Sequence, residues 1–132
     1  MRYLVAVTET HPLSIHFSLH NPPGSDEAIY VPKPLGPLGA FVRVAVEDAD
    51  GDVVYRTVIP KIRLKLDPNK AESYLVLEPG YTHGVVLTVE GLRLEPGDYR
   101  LRVEYSNLPY RGFAGHPLGE LAHDVTLPLR VG

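Results

Sequence analysis

Hydrophobic and polar residues alternate along most of this chain with a period of two. The cleanest run is 13–20, LSIHFSLH, where Leu13, Ile15, Phe17 and Leu19 fall on one side of an extended strand and Ser14, His16, Ser18 and His20 on the other. Residues 2–9 read as a first strand. Over 99–105, Tyr99, Leu101, Val103 and Tyr105 oppose Arg100, Arg102 and Glu104. Over 61–67, Ile62, Leu64 and Leu66 oppose Lys61, Arg63 and Lys65, which predicts a half-buried strand with a basic outer face. Further strands are predicted at 27–31, 40–48, 53–59, 74–77, 85–90 and 121–131. Pro128 places the last at a sheet edge, because proline has no N–H to offer a second neighbour.

The breaks between these runs carry turn chemistry. His11-Pro12 separates the first two strands, and residues 21–24, NPPG, end the second. Residues 33–39, KPLGPLG, read as a loop, because Pro32, Pro34 and Pro37 would each remove a ladder donor. Asp50-Gly51, in the centre of DADGD, is the strongest hairpin signal. Asp67-Pro68 resembles a cap followed by a first helical position and predicts a single helical turn over 68–73. The phrase LEPG occurs at 77–80 and again at 94–97, marking two similar turns. About eight or nine short strands with no amphipathic helix predict an all-β fold, an immunoglobulin-like antiparallel β-sandwich, in one domain over residues 1–132. In such sandwiches a tyrosine just after a corner turn donates its hydroxyl to upstream backbone; Tyr99 is the candidate, the alternative being an ordinary core-facing aromatic.

Composition narrows the function classes. The chain has 132 residues, close to the usual size of one domain, and no cysteine, so disulfides, zinc-thiolate sites and thiol catalysis are excluded. The net charge is −3 with both signs interspersed and no basic run, which argues against nucleic acid as a partner. Met1 leads straight into a short strand-like run, too brief for a signal core or a membrane span, so a cytoplasmic location away from membranes is expected. No Gln, three Asn, one Met and 13 prolines suit a thermophilic source, and GC-rich codon usage would leave the same mark.

The order of motifs is SLHN, then PKPLGPLG, then the D-x-G hairpin in VEDADGDVVY, then YLVLEPG, and finally LEPGDYRLRVEYSN. Over residues 13–131 this order resembles the small immunoglobulin-like amino-terminal domain of deuterolysin-type metallopeptidases, and more distantly the bacterial intracellular proteinase inhibitors. No HExxH stretch occurs, so the resemblance carries over no catalytic residue. It implies an accessory or inhibitor-like domain that binds protein.

Candidate chemistry is sparse. Asp48, Asp50 and Asp52 imitate the first ligands of a calcium loop, but Val53 and Ile59 stand where that loop needs Gly and Glu, and a hairpin turn with solvated acids is the better account. His16 and His20 share one strand face at roughly 13 Å, too far apart to hold one ion. A metal would need His11, His83, His116 or His123 brought in by folding. No nucleophile elbow or phosphate loop occurs, so no enzyme activity and no cofactor are expected.

The expected activity is therefore binding to a protein partner. Residues 106–119 form a long Gly- and Pro-rich segment carrying Leu108, Tyr110, Arg111, Phe113 and His116, residue types enriched at interfaces. The alternative is that Tyr110 and Phe113 fold down to cap an open end of the sandwich. Residues 31–39, stiffened by proline, are a second candidate surface or an edge-protecting linker. An inhibitor would insert one of these segments into a protease cleft in extended form, with Arg111 entering the specificity pocket. The competing expectation is a structural module that forms a homodimer through an uncovered edge strand.

Overall fold

The computed structural model describes residues 2–58, 70–106 and 122–132, with the side chains of 122 and 123 left aside. Within them the chain is all-β and antiparallel. Its strands are β1 (Arg2–Thr10), β2 (Leu13–His20), β3 (Ile29–Pro32), β4 (Val42–Glu47), β5 (Val53–Arg56), β6 (Tyr74–Leu77), β7 (Thr82–Thr88), β8 (Gly97–Ser106) and β9 (Ala122–Val131). They form a three-stranded sheet in the order β1-β2-β7, a two-stranded ribbon β3-β6, and a four-stranded sheet β5-β4-β8-β9. One 3-10 turn, Ala71–Ser73, is the only helical element among the described residues.

The core forms where the inner faces of these sheets meet. Leu13, Ile15, Phe17 and Leu19 of β2 pack with Val42, Val44 and Val46 of β4 and with Leu101, Val103 and Tyr105 of β8. An aromatic group spans the gap: the Tyr105 ring lies 5.6 Å from Phe17 in a stacked arrangement and 5.7 Å from Tyr3, tilted. Offset and tilted contacts of this kind add about 0.5–1.5 kcal/mol each beyond area burial. Val31 of β3 and Leu77 of β6 join the same cluster, so the ribbon belongs to the sandwich.

Three expectations shift in detail. Strand β7, expected over 85–90, runs over Thr82–Thr88, with Gly84 paired to Ser18 in mid-strand. Pro32, expected in a loop, ends β3 opposite Tyr74, where the other side of its strand has no neighbour among the described residues. The helical turn expected over 68–73 is found as the shorter Ala71–Ser73, with 68 and 69 outside the described residues. The strand expected at 61–67 lies wholly outside them. Strand β9, with Pro128, is at the edge of the four-stranded sheet.

Asn21, one residue past β2, is the polar anchor of the core. It is 1% exposed, and its side-chain amide donates to the carbonyls of Glu27 (2.9 Å) and Leu77 (2.8 Å). Its own N–H reaches Tyr81 O (3.0 Å), and its carbonyl accepts from Gly80 N (2.6 Å). One residue thus ties the end of β2 to the approach to β3, the end of β6 and the turn into β7. A buried acceptor that loses its donor, as the Leu77 carbonyl would, costs about 1–3 kcal/mol, while the Glu27 carbonyl keeps the Ser25 hydroxyl at 3.2 Å. Asn21→Ala is expected to lower stability by about 1–3 kcal/mol in urea unfolding. Asn21→Asp sets a carboxylate against two carbonyls in a buried site, which raises its folded pKa above the unfolded value of about 3.9. Its deficit is then full above the folded pKa and shrinks as pH falls toward the unfolded one, so a deficit that grows on acidification contradicts the assignment.

Candidate functional site

Strand β2 is central in its sheet, buried on its core face and partly buried on its outer one. The core face was legible from the alternation; the outer face carries Ser14 and Ser18, which are also buried. Ser14 Oγ bonds Thr88 Oγ1 across the pair (3.1 Å) and donates to Pro12 O (3.3 Å). Ser18 lies opposite Gly84, and the His16 ring lies over the space a side chain there would take, its Nε2 3.3 Å from Ser18 Oγ. A Cβ added at Gly84 would stand 2.4 Å from Ser18 Oγ, 3.0 Å from His16 Nε2 and 3.2 Å from Phe17 O. The glycine is required by close approach.

The consequence on the outer face of the β1-β2-β7 sheet is a position without a side chain at Gly84, with His16 exposed beside it. Register places Leu4, Ser18 and Gly84 in one row, Ala6, His16 and Val86 in the next, and Arg2, His20 and Thr82 at one end. Leu4 is 49% exposed and Val86 59%. Between Arg2 and Glu9 at its two ends this face carries no Asp, Glu, Lys or Arg.

The four-stranded sheet is the opposite case. Its outer face pairs Arg43 with Glu104 and Glu47 with Arg100 across strands. Arg102 bonds Asp124 (2.6 Å) and Glu104 (3.1 Å), and Arg130 meets Asp98 at 3.4 Å. The hydrogen bond to Asp124, and then the charge of Glu104, raise the Arg102 pKa above the ordinary guanidinium value. These charges answer one another within the sheet.

The residues singled out by sequence fall as follows. Leu108, Tyr110, Arg111, Phe113 and His116 lie outside the described residues. Tyr99, at the start of β8, donates its hydroxyl to Glu95 O, four residues upstream, at 2.7 Å. Asp48 Oδ1 accepts from the N–H groups of Asp50 (2.9 Å) and Asp52 (3.0 Å), and Gly51 takes a φ of 86°, so this carboxylate closes the β4–β5 turn. His20 Nδ1 bonds Thr82 Oγ1 at 2.8 Å, and His83 Nε2 donates to Lys33 O at 2.7 Å. Among the described residues no three His, Asp or Glu side chains converge on a metal position, and no helix is long and apolar enough to cross a membrane.

The contact between Ser18 and His16 is the nearest approach to a catalytic pair among these residues. Ser18 is 2% exposed within a strand, so no substrate carbonyl reaches its hydroxyl. Leu4 and Val86 were missed as surface residues. Their signal, charge-free even positions in three separate segments, appears only once the strands are paired.

Comparison with protein-family models, curated proteins and solved structures finds no match to this chain.

The close approach at Gly84 has a measurable signature. Gly84→Ala is expected to cost about 1–2 kcal/mol, and in a Ser18→Ala background the cost falls, because the nearest clashing atom has gone. Strictly additive losses in urea unfolding would show that Ser18 and Gly84 do not press on each other.

Proposed function

We propose that the chain is a non-catalytic protein-interaction domain that meets its partner through the outer face of the β1-β2-β7 sheet. The observation that carries this reading is the contrast between two outer faces of one sandwich, one set with internally answered charges and one without charge between Arg2 and Glu9, with exposed Leu4 and Val86. A partner loses little by desolvating the second face, since almost no ionised group must be stripped of water there.

Fold supports the same class. We read β1-β2-β7 and β5-β4-β8-β9 as the A-B-E and C′-C-F-G sheets of an immunoglobulin-like sandwich, with Tyr99 as the corner tyrosine at the start of its F strand. The motif order shared with deuterolysin-type accessory domains and proteinase inhibitors makes a peptidase the first class of partner to assay.

The test compares immobilised wild-type domain with Val86→Arg and with a triple variant, Tyr110→Ala, Arg111→Ala and Phe113→Ala, each confirmed to unfold at the wild-type temperature. The expected result is a specific protein held by the wild type and the triple variant and bound at least about tenfold more weakly by Val86→Arg, an energy of about 1.4 kcal/mol. Loss in the triple variant with retention in Val86→Arg would transfer the interface to the 106–119 segment and end the present reading.

A further inference from the structure

The outer edge of β1 is the longest proline-free edge in the sandwich. Among the described residues nothing pairs with β1 on the side away from β2. The other edges are guarded or shorter: β9 contains Pro128, β3 ends in Pro32, β5 and β6 have four residues each, and β7 has seven, with Gly84 among them. Proline, shortness and charge are the usual devices against strand addition. β1 is nine residues long, and its centre, Tyr3 to Thr8, carries neither proline nor charge.

Its ends are charged with opposite sign. The register slips between Val7 and Glu9, so Thr8 is an extra residue and Glu9 pairs with Ser14. That bulge returns Glu9 to the outer face, the face that Arg2, Leu4 and Ala6 also occupy. Without the bulge Glu9 would fall on the core side. One strand therefore presents a cation at its first position and an anion at its far end, on the same side.

We propose that β1 pairs antiparallel with β1 of a second copy of this chain, about a two-fold axis normal to the sheet at Val5. A two-fold of that kind lets core-facing residues meet only core-facing residues, which selects Val5 opposite Val5, Leu4 opposite Ala6 and Tyr3 opposite Val7. Arg2 of each copy then meets the bulged Thr8-Glu9 pair of the other, with Glu9 on its own side of the sheet. Two symmetric ion pairs flank an apolar centre, and no like charges are set opposite each other. Pairing covers Leu4 further and closes over Tyr3, Val5 and Val7, which are only half-buried in the single sandwich. The product is one continuous sheet, β7-β2-β1-β1-β2-β7, with its outer face doubled. The contact is small, so the dimer is of the weak, reversible kind, with a Kd on the order of micromolar to tens of micromolar.

This inference takes the same sheet as the proposed function but uses its edge, and the two are separable. Sedimentation equilibrium of the intact chain at about 5–300 µM is expected to show monomer and dimer across that Kd range. Arg2→Glu sets glutamate against Glu9 and weakens the dimer about tenfold, and Arg2→Glu with Glu9→Arg restores it. Val86→Arg, which attacks the face, leaves the dimer intact. The chain has no cysteine, so Val5→Cys supplies an independent readout: mild oxidation is expected to link two copies, since facing Cα atoms in such a pair lie about 4.5–5.5 Å apart, while Val86→Cys gives no such link. A wild type that stays monomeric at the highest concentration, an Arg2→Glu variant that associates like wild type, or a double exchange that fails to restore the dimer each overturns the proposal.

Discussion

The rest of this sandwich depends on β2, the central strand of its sheet, buried on its core face and, at Ser14 and Ser18, on its outer face as well. On its core side β2 supplies four large apolar residues, and on its outer side it must fit between β1 and β7 without exposing polar backbone. That second requirement limits what the neighbours can be. Ser14 and Ser18 are small and bonded locally, Gly84 has no side chain because none would fit, and His16 lies across the space that results. Where β2 ends, Asn21 carries the constraint onward, its buried amide holding the approaches to β3 and β7 in place. The strand is a spine, and both the inner packing and the outer relief of its sheet follow from it.

The proposed function rests on that outer face. The middle strand of that sheet carries Ser14 and Ser18 on its outer side with His16 exposed between them, and the flanking strands add Leu4, Ala6 and Val86 without adding charge inside the patch. The opposite sheet is dressed with mutually satisfied arginines and carboxylates. Surface pairs of that kind contribute little to stability. They do keep that face in water. The two outer faces therefore differ in charge: one carries paired ions, and the other has none between Arg2 and Glu9.

Much of the architecture was legible because it is written in short-range signals. Alternation located β2 to the residue and β8 over 99–105 of its Gly97–Ser106 span, and the Asp-Gly pair located the β4–β5 turn, where Asp48 caps its own loop. The need for Gly84 was not legible, since its cause is a serine far away in sequence, Ser18. Asn21 looked like a turn residue, whereas its partners lie at 27 and 77. The outer face could not be read at all before pairing, because its absence of charge is spread over three strands and becomes a patch only when they stand side by side. The bulge that turns Glu9 outward is of the same kind: it belongs to the register of β1 on β2 and leaves no mark in β1 alone.

The central proposal is that this protein associates through the β1-β2-β7 side, beginning at the edge of β1. Backbone hydrogen exchange, measured residue by residue at about 5 µM and again at about 300 µM, addresses it without any substitution. The account predicts that alternate amides in the centre of β1 become more protected at the higher concentration while those of β5 and β9 do not change. Protection independent of concentration, or a gain on β5 or β9 in place of β1, would contradict it.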